Sequence, residues 1–215
     1  MGSGEKPSAS DIVYLFGDRF AKGARMGGEK LIFGGSKVKH SDLGDSLMVA
    51  AFADLLSRGY LALELVDEKK LGLFSSRDVL VTRLGEPSER LYGLEAAIWD
   101  KLSGDPKRDR VRPITRTIIG VETGNPWSTV IDLAKEGLAE QGYLNKETEE
   151  LRFRPDKTHW SANQALIRPL EGMVEGVQAM LSSLETRDPG LYKQLVESVR
   201  GGIKDMVESP DFDMD

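Results

Sequence analysis

Leu55-Leu56-Ser57-Arg58-Gly59-Tyr60-Leu61 returns later in the chain as Leu138-Ala139-Glu140-Gln141-Gly142-Tyr143-Leu144. In each copy an amphipathic helical pattern stops at a glycine, the residue that most readily takes the left-handed backbone ending many helices. Each copy then runs into a β-prone stretch. Before Gly59, the residues Leu47, Met48, Ala51, Leu55 and Leu56 make an apolar stripe at helical spacing, opening at Ser41 or Asp42. Ala50, Ala51 and Ala53 leave room for a close neighbour. Before Gly142, Asn125-Pro126-Trp127-Ser128 opens a helix whose Ile131, Ala134 and Leu138 face inward. The expected unit is a helix, a glycine break and a hairpin, used twice.

The rest of the chain extends this pattern. Leu61-Ala62-Leu63-Glu64-Leu65 alternates as a strand, Asp67-Glu68-Lys69-Lys70 reads as its turn, and Leu71-Gly72-Leu73-Phe74 as its return. The second hairpin reads as Tyr143-Leu144, a turn over 146–149, and Leu151-Arg152-Phe153, three residues tighter. Residues 78–84 suit strand or helix. Ile12, Val13, Leu15, Phe16 and Phe20 predict a helix over 11–25, capped by Ser10 or Asp11 and ended by Gly23, Gly27 and Gly28. Residues 30–39 read as a hairpin turning at Gly34-Gly35. Leu94, Ala97, Ile98 and Trp99 mark a helix over 93–102, followed by a loop over 103–112 and an apolar segment over 114–121. Leu166, Ile167, Leu170, Met173, Val174, Val177, Met180, Leu181 and Leu184 predict one long amphipathic helix. After a turn at Arg187-Asp188-Pro189-Gly190, a last helix carries Leu191, Leu195, Val196, Val199, Ile203 and Met206. The expected fold is mainly α, a globular helical fold with short β-hairpins and a winged-helix-like internal pseudo-repeat. A flexible N-terminus (1–10) precedes a single domain over 11–208. Within it lie pseudo-repeats at about 41–84 and 126–155 and a C-terminal helical pair at 161–208; an acidic tail (209–215) follows.

Composition narrows the function classes. The 215 residues include no cysteine, which removes disulfides, thiol catalysis and Cys-ligated zinc. Only His40 and His159 are present, each read as a surface residue at a turn, so neither a metal centre nor a Ser-His-Asp triad is expected. The carboxylates are interspersed with cations, with no pair set apart for acid–base work. Gly34-Gly35-Ser36-Lys37 lacks the spacing of a phosphate-binding loop. The chain is therefore read as a non-enzyme with no cofactor. No apolar run is long enough to span a bilayer and the N-terminus lacks the core of a signal peptide, which leads to an expected cytoplasmic location. The net charge is -6, so any anionic partner must meet a local basic cluster.

The alanines leading into Asp54-Leu55-Leu56-Ser57-Arg58-Gly59-Tyr60-Leu61 carry a resemblance. So do the run Leu138-Ala139-Glu140-Gln141-Gly142-Tyr143-Leu144, the following Leu151-Arg152-Phe153-Arg154-Pro155, and two closing helices broken at Asp188-Pro189. In this order, over roughly residues 12–205, the chain resembles the Golgi phosphoprotein 3 family. The resemblance implies a mostly helical fold with short hairpins, peripheral membrane binding and recognition of a phosphoinositide head group. Where the family's Golgi members place arginines, this chain has Met48, Ile131 and Leu133, which cannot neutralise a phosphate. The aromatic residue of the family's hairpin falls near Lys39.

Two cation-bearing segments are the candidate sites. The hairpin at 30–39 sets Ile32 and Phe33 beside Lys37 and Lys39, so Phe33 is the candidate for membrane insertion and the two lysines for head-group contact. The stretch Asp105-Pro106-Lys107-Arg108-Asp109-Arg110-Val111-Arg112 supplies Arg108, Arg110 and Arg112 as further head-group contacts. The helix opening at Pro126-Trp127-Ser128-Thr129 is a weaker anion site, since Pro and Ser there are also ordinary helix-start residues. The leading expectation is a non-enzymatic peripheral membrane adaptor for an anionic lipid. The alternative is a tandem winged-helix-like scaffold for a protein partner. Asp45, Asp54, Asp132, Glu136 and Glu140 on the candidate reading helices argue against nucleic acid. The C-terminal helices can pack within the chain or form a homodimer.

Overall fold

A computed structural model describes residues 6–70, 74–105, 109–120, 125–149 and 157–207. It is a mostly helical globular fold with three two-stranded antiparallel hairpins. Helix α1 (Ala9–Leu15) opens at Ser8, whose hydroxyl accepts from the Asp11 N–H while the Asp11 carboxylate accepts from the Ser8 N–H. This reciprocal box starts the helix earlier than Ser10 or Asp11 and takes Ala9 and Ser10 out of the expected flexible N-terminus. The helix also stops at Phe16, well short of residue 25. A side chain at Gly17 would come within 2.9 Å of Leu31 Cδ2, and the chain makes a short 3-10 turn there (Gly17–Arg19).

Strands β1 (Glu29–Lys30) and β2 (Lys37–Val38) form the first hairpin, with Gly34 and Gly35 both at positive φ in its turn. Helix α2 (His40–Ser57) follows, with Lys39 at its N-cap. It is the central element and packs against α1 and against four helices described below. Its residues 43–45 and 47–55 are buried, so the amphipathic stripe expected of it is corrected to burial nearly all round. The run of alanines makes that enclosure sterically feasible.

Strands β3 (Leu61–Lys70) and β4 (Phe74–Arg83) make the second hairpin. Residues 67–70, expected as its turn, are strand and pair with 74–77. Charged residues read as a turn because this half of the ladder carries no apolar alternation. Residues 71–73 of the expected return lie outside the described residues, and 78–83 resolve as strand. Helix α3 (Gly93–Lys101) buries Leu94, Ile98 and Trp99, and α4 (Val111–Ile119) begins inside the segment expected as a loop. Asp109 anchors that start: its carboxylate accepts from the Ser103 N–H and hydroxyl and from the Gly104 N–H. Helix α5 (Pro126–Glu140) is capped by the Asn125 side chain and buries Ile131, Ala134 and Leu138.

Strands β5 (Leu144–Glu149) and β6 (Lys157–Ala162) form the third hairpin. Residues 146–149, expected as its turn, are strand, and the described return strand is 157–162; the expected return at 151–153 lies outside the described residues. The long helix expected across 166–184 is broken into α6 (Gln164–Ile167), a 3-10 stretch (Arg168–Met173) and α7 (Val174–Arg187). Pro169 lacks the N–H that a continuous helix needs. Helix α8 (Pro189–Val207) follows after the single residue Asp188, whose carboxylate accepts from the Leu191 N–H. Helices α3, α5, α7 and α8 complete the shell around α2, and α4 lies on α8 and β4.

The two helix exits are alike in detail. After α2, the Gly59 and Tyr60 N–H groups donate to the Leu56 and Leu55 carbonyls at 3.0 Å each, with Gly59 at φ +73°. After α5, Gly142 and Tyr143 donate to Ala139 and Leu138 at 3.0 and 2.9 Å, with Gly142 at φ +82°. Each hairpin is then closed by one 2.9 Å bond back to the tyrosine carbonyl, from Leu84 to Tyr60 and from Asn163 to Tyr143. Neither histidine lies in a turn: His40 opens α2 and His159 is in β6. Among the described residues no helix is long and apolar enough to cross a membrane.

Candidate functional site

The segment between the 3-10 turn and α2 is built as a small three-stranded patch. Besides the β1–β2 pairing, Gly23 bridges Val38 in antiparallel fashion. The Ala24 N–H donates to the Lys37 carbonyl at 3.0 Å, and the Lys39 N–H donates to the Lys22 carbonyl at 2.9 Å. Lys22 therefore stands opposite Lys39, and on the other side Lys30 is the register partner of Lys37. Side chains alternate between the two faces of a strand. Val38 is buried on the inner face. Its register partner Glu29 also turns inward, where its carboxylate meets Lys135 Nζ at 2.8 Å, His40 Nε2 at 3.7 Å and the Tyr14 hydroxyl at 3.3 Å. Burial and the adjoining Glu29 carboxylate push the Tyr14 hydroxyl far above its ordinary range, so it stays neutral and donates.

The outer face is left to lysine. Lys22, Lys30, Lys37 and Lys39 are all exposed, and so are Arg19 and Arg25 on the adjoining chain. Between residues 19 and 39 the only carboxylate is Glu29, which is turned inward. Among the described residues none of these six cations is held in an ion pair. Like charges placed directly across a ladder are destabilising by a few tenths of a kcal/mol up to about 1 kcal/mol per pair. This face holds two such pairs.

A groove of about 550 Å³ borders the face, lined by Met26, Lys39, His40, Ser41, Asn125 and Trp127 among others. The first turns of α2 and α5 both open on it. Helix N-termini present free N–H groups and the positive end of the helix dipole. Met26 beside it is 91% exposed, the most exposed large apolar residue described. Trp127 is fixed from behind: its indole N–H donates to Asp45 Oδ1 at 3.3 Å, and Arg200 Nε holds the other oxygen at 2.6 Å. Gly44 permits this, since a Cβ there would lie 2.7 Å from Trp127 Cδ1.

The residues expected to bind a head group are thus divided. Lys37 and Lys39 lie on the lysine face. Phe33 is half-buried and sets its ring edge-on to Phe16 at 5.5 Å, which turns it toward the body. Arg110 caps the start of α4, where its backbone bridges Leu80 of β4. Arg112 is engaged with Asp205 through two bonds of 2.7 and 2.6 Å. Those bonds raise the affinity of its guanidinium for its proton. Arg108 lies outside the described residues. The sequence reading missed Lys22, Lys30, Arg19 and Arg25. Their signal was available as six cations against one acid over residues 19–39, but the expected helix over 11–25 concealed the pairing of Lys22 with Lys39.

Among the described residues no group of histidine, aspartate and glutamate side chains is arranged to hold a metal ion. No protein-family model matches the chain, and no curated protein or solved structure is detectably similar to it.

Proposed function

We propose that this protein is a non-enzymatic peripheral membrane adaptor that contacts an anionic lipid head group through the lysine face. One observation carries the reading: Lys22, Lys30, Lys37 and Lys39 share one exposed face, in like-charged cross-strand pairs, on a chain of net charge -6. That arrangement opposes local stability and gains only where negative charge comes to meet it. The exposed Met26 supplies an apolar contact beside the cations, in the place first given to Phe33. The groove at the two helix N-termini, with Lys39 at its rim, is the seat for a phosphate-bearing head group.

In this reading the chain is a divergent relative of the Golgi phosphoprotein 3 family, with lysines of the hairpin region replacing the arginines missing at Met48, Ile131 and Leu133. The matching hydrogen bonds at the Gly59 and Gly142 exits support a winged-helix-like pseudo-repeat as the origin of the two helix–hairpin units. Arg112 drops out of the lipid contact because Asp205 already neutralises it.

Sedimentation with vesicles tests the proposal. Binding is expected to vesicles of phosphatidylserine or phosphatidylinositol 4-phosphate, absent with phosphatidylcholine alone, and weakened strongly between 50 and 500 mM salt on the order set by screening. Absence of binding to all three, or binding indifferent to salt, would move the function to a protein partner.

A further inference from the structure

Three carboxyl groups meet beneath α1, away from the lysine face. Glu95 of α3 accepts from the Ser10 hydroxyl at 2.8 Å and from the Ser10 N–H at 3.4 Å. Asp11 of α1 accepts from Gln141 Nε2 and from the Ser8 N–H, both at 2.9 Å. Asp54 of α2 lines the same groove as Ser8 and Ala9 and pairs with Arg58 Nε at 2.8 Å. Asp11 and Glu95 are almost fully buried, at 2% and 1% exposure. These contacts join the first turn of α1 to α2, α3 and α5 at once.

The charges around Glu95 are mainly acidic, with the Arg58 guanidinium as a cation that also reaches it. From α1 it faces Asp11, and from α2 it faces Asp54, with Arg58 beyond; Arg58 also pairs with Glu89 of the loop before α3. Helix α5 brings the neutral Gln141, while its Lys135 is engaged with Glu29 and Asp132. Helix α4 turns its cations away, Arg112 to Asp205 and Arg116 to solvent. Burial first, and then the charges of Asp11 and Asp54, push the Glu95 carboxyl up to about 8. Burial raises Asp11 as well, against the hydrogen bonds from Gln141 and Ser8 that lower it. A groove of about 600 Å³ lined by Ser8, Ala9, Asp54, Arg58 and Glu89 gives solvent an approach to the cluster's rim.

We propose that Asp11, Asp54 and Glu95 form a proton-operated latch that docks α1 onto α2, α3 and α5, closed while Glu95 carries its proton. Undocking α1 opens Glu95 to solvent and takes away the Asp11 charge, so its carboxyl falls back toward the ordinary glutamate value of 4.5. A group whose docked pKa is raised contributes stability that is full below its undocked pKa and is lost as pH rises through its docked pKa. The docked state therefore weakens across the window from about 4.5 to about 8 and is constant above it. The latch makes no appeal to lipid, and its test needs none.

Hydrogen exchange of the α1 amides, read from pH 5 to 9 and corrected for intrinsic rates, follows the latch. The α1 opening equilibrium is expected to rise by about tenfold per pH unit up to about pH 8 and then level off. Glu95→Gln keeps the size and polarity of the side chain without its charge, and its rise is expected to be clearly smaller than that of wild type, Asp11 and Asp54 supplying what remains. A wild-type profile without this rise, or an unchanged rise in Glu95→Gln, would overturn the proposal. Should the variant fail to fold, a carboxyl-carbon NMR titration of the wild-type protein decides the matter: a Glu95 transition near pH 8 supports the latch, and one near 4.5 refutes it.

Discussion

A methyl group added at Gly59 or Gly142 would touch nothing within 4 Å, so the cost of replacing either glycine is purely one of backbone conformation. Both sit at positive φ, where an L-residue loses roughly 1–2 kcal/mol. Gly59→Ala and Gly142→Ala are therefore expected to destabilise the protein by about that amount each, and by similar amounts, in urea unfolding. A much larger loss at one site would mean that the two exits differ in packing. These glycines were legible because a helix end is written in neighbouring residues. Gly44, buried against Trp127, and Glu95, buried beside Asp11, were not legible, since their partners lie 83 and 84 positions away.

At the level of elements, the helices that pack most closely do so through glycine. A Cβ at Gly137 of α5 would lie 2.6 Å from both Cα and N of Gly93, where α3 begins. Backbone cannot rotate out of the way as a side chain can, so α3 and α5 must separate. Gly137→Ala is expected to cost about 3 kcal/mol, the upper part of the range for overpacking, despite the better helix propensity of alanine. A neutral or stabilising effect in the same urea measurement would contradict this packing. Existence and order of most helices could be read from apolar spacing, while their ends could not. The charged residues 67–70 looked like a turn because four successive charged residues show no apolar alternation. The stripe from Leu166 to Leu184 looked continuous because the 3-10 stretch around Pro169 nearly preserves helical spacing; the proline, visible throughout, was the better guide.

The whole molecule combines an acidic body with a basic face built from one local segment. The sequence reading found part of this face, Lys37 and Lys39, because they share a hairpin. It missed Lys22 because a helix was expected where the chain in fact runs beside β2. It overvalued Arg112, whose partner Asp205 is distant in sequence. If the face exists to meet anionic lipid, binding and local stability are opposed there. Changing Lys22, Lys30, Lys37 and Lys39 together to glutamine removes two like-charged pairs, and thermal unfolding should then occur at an equal or slightly higher temperature, corresponding to a gain in stability on the order of 1 kcal/mol at most.

The same quadruple variant gives the most direct measurement, sedimentation with phosphatidylserine vesicles at low salt beside the wild-type protein. The account predicts that wild type sediments and the folded variant stays in the supernatant. A variant that unfolds like wild type and still sediments with it would show that the lysine face is not the membrane contact.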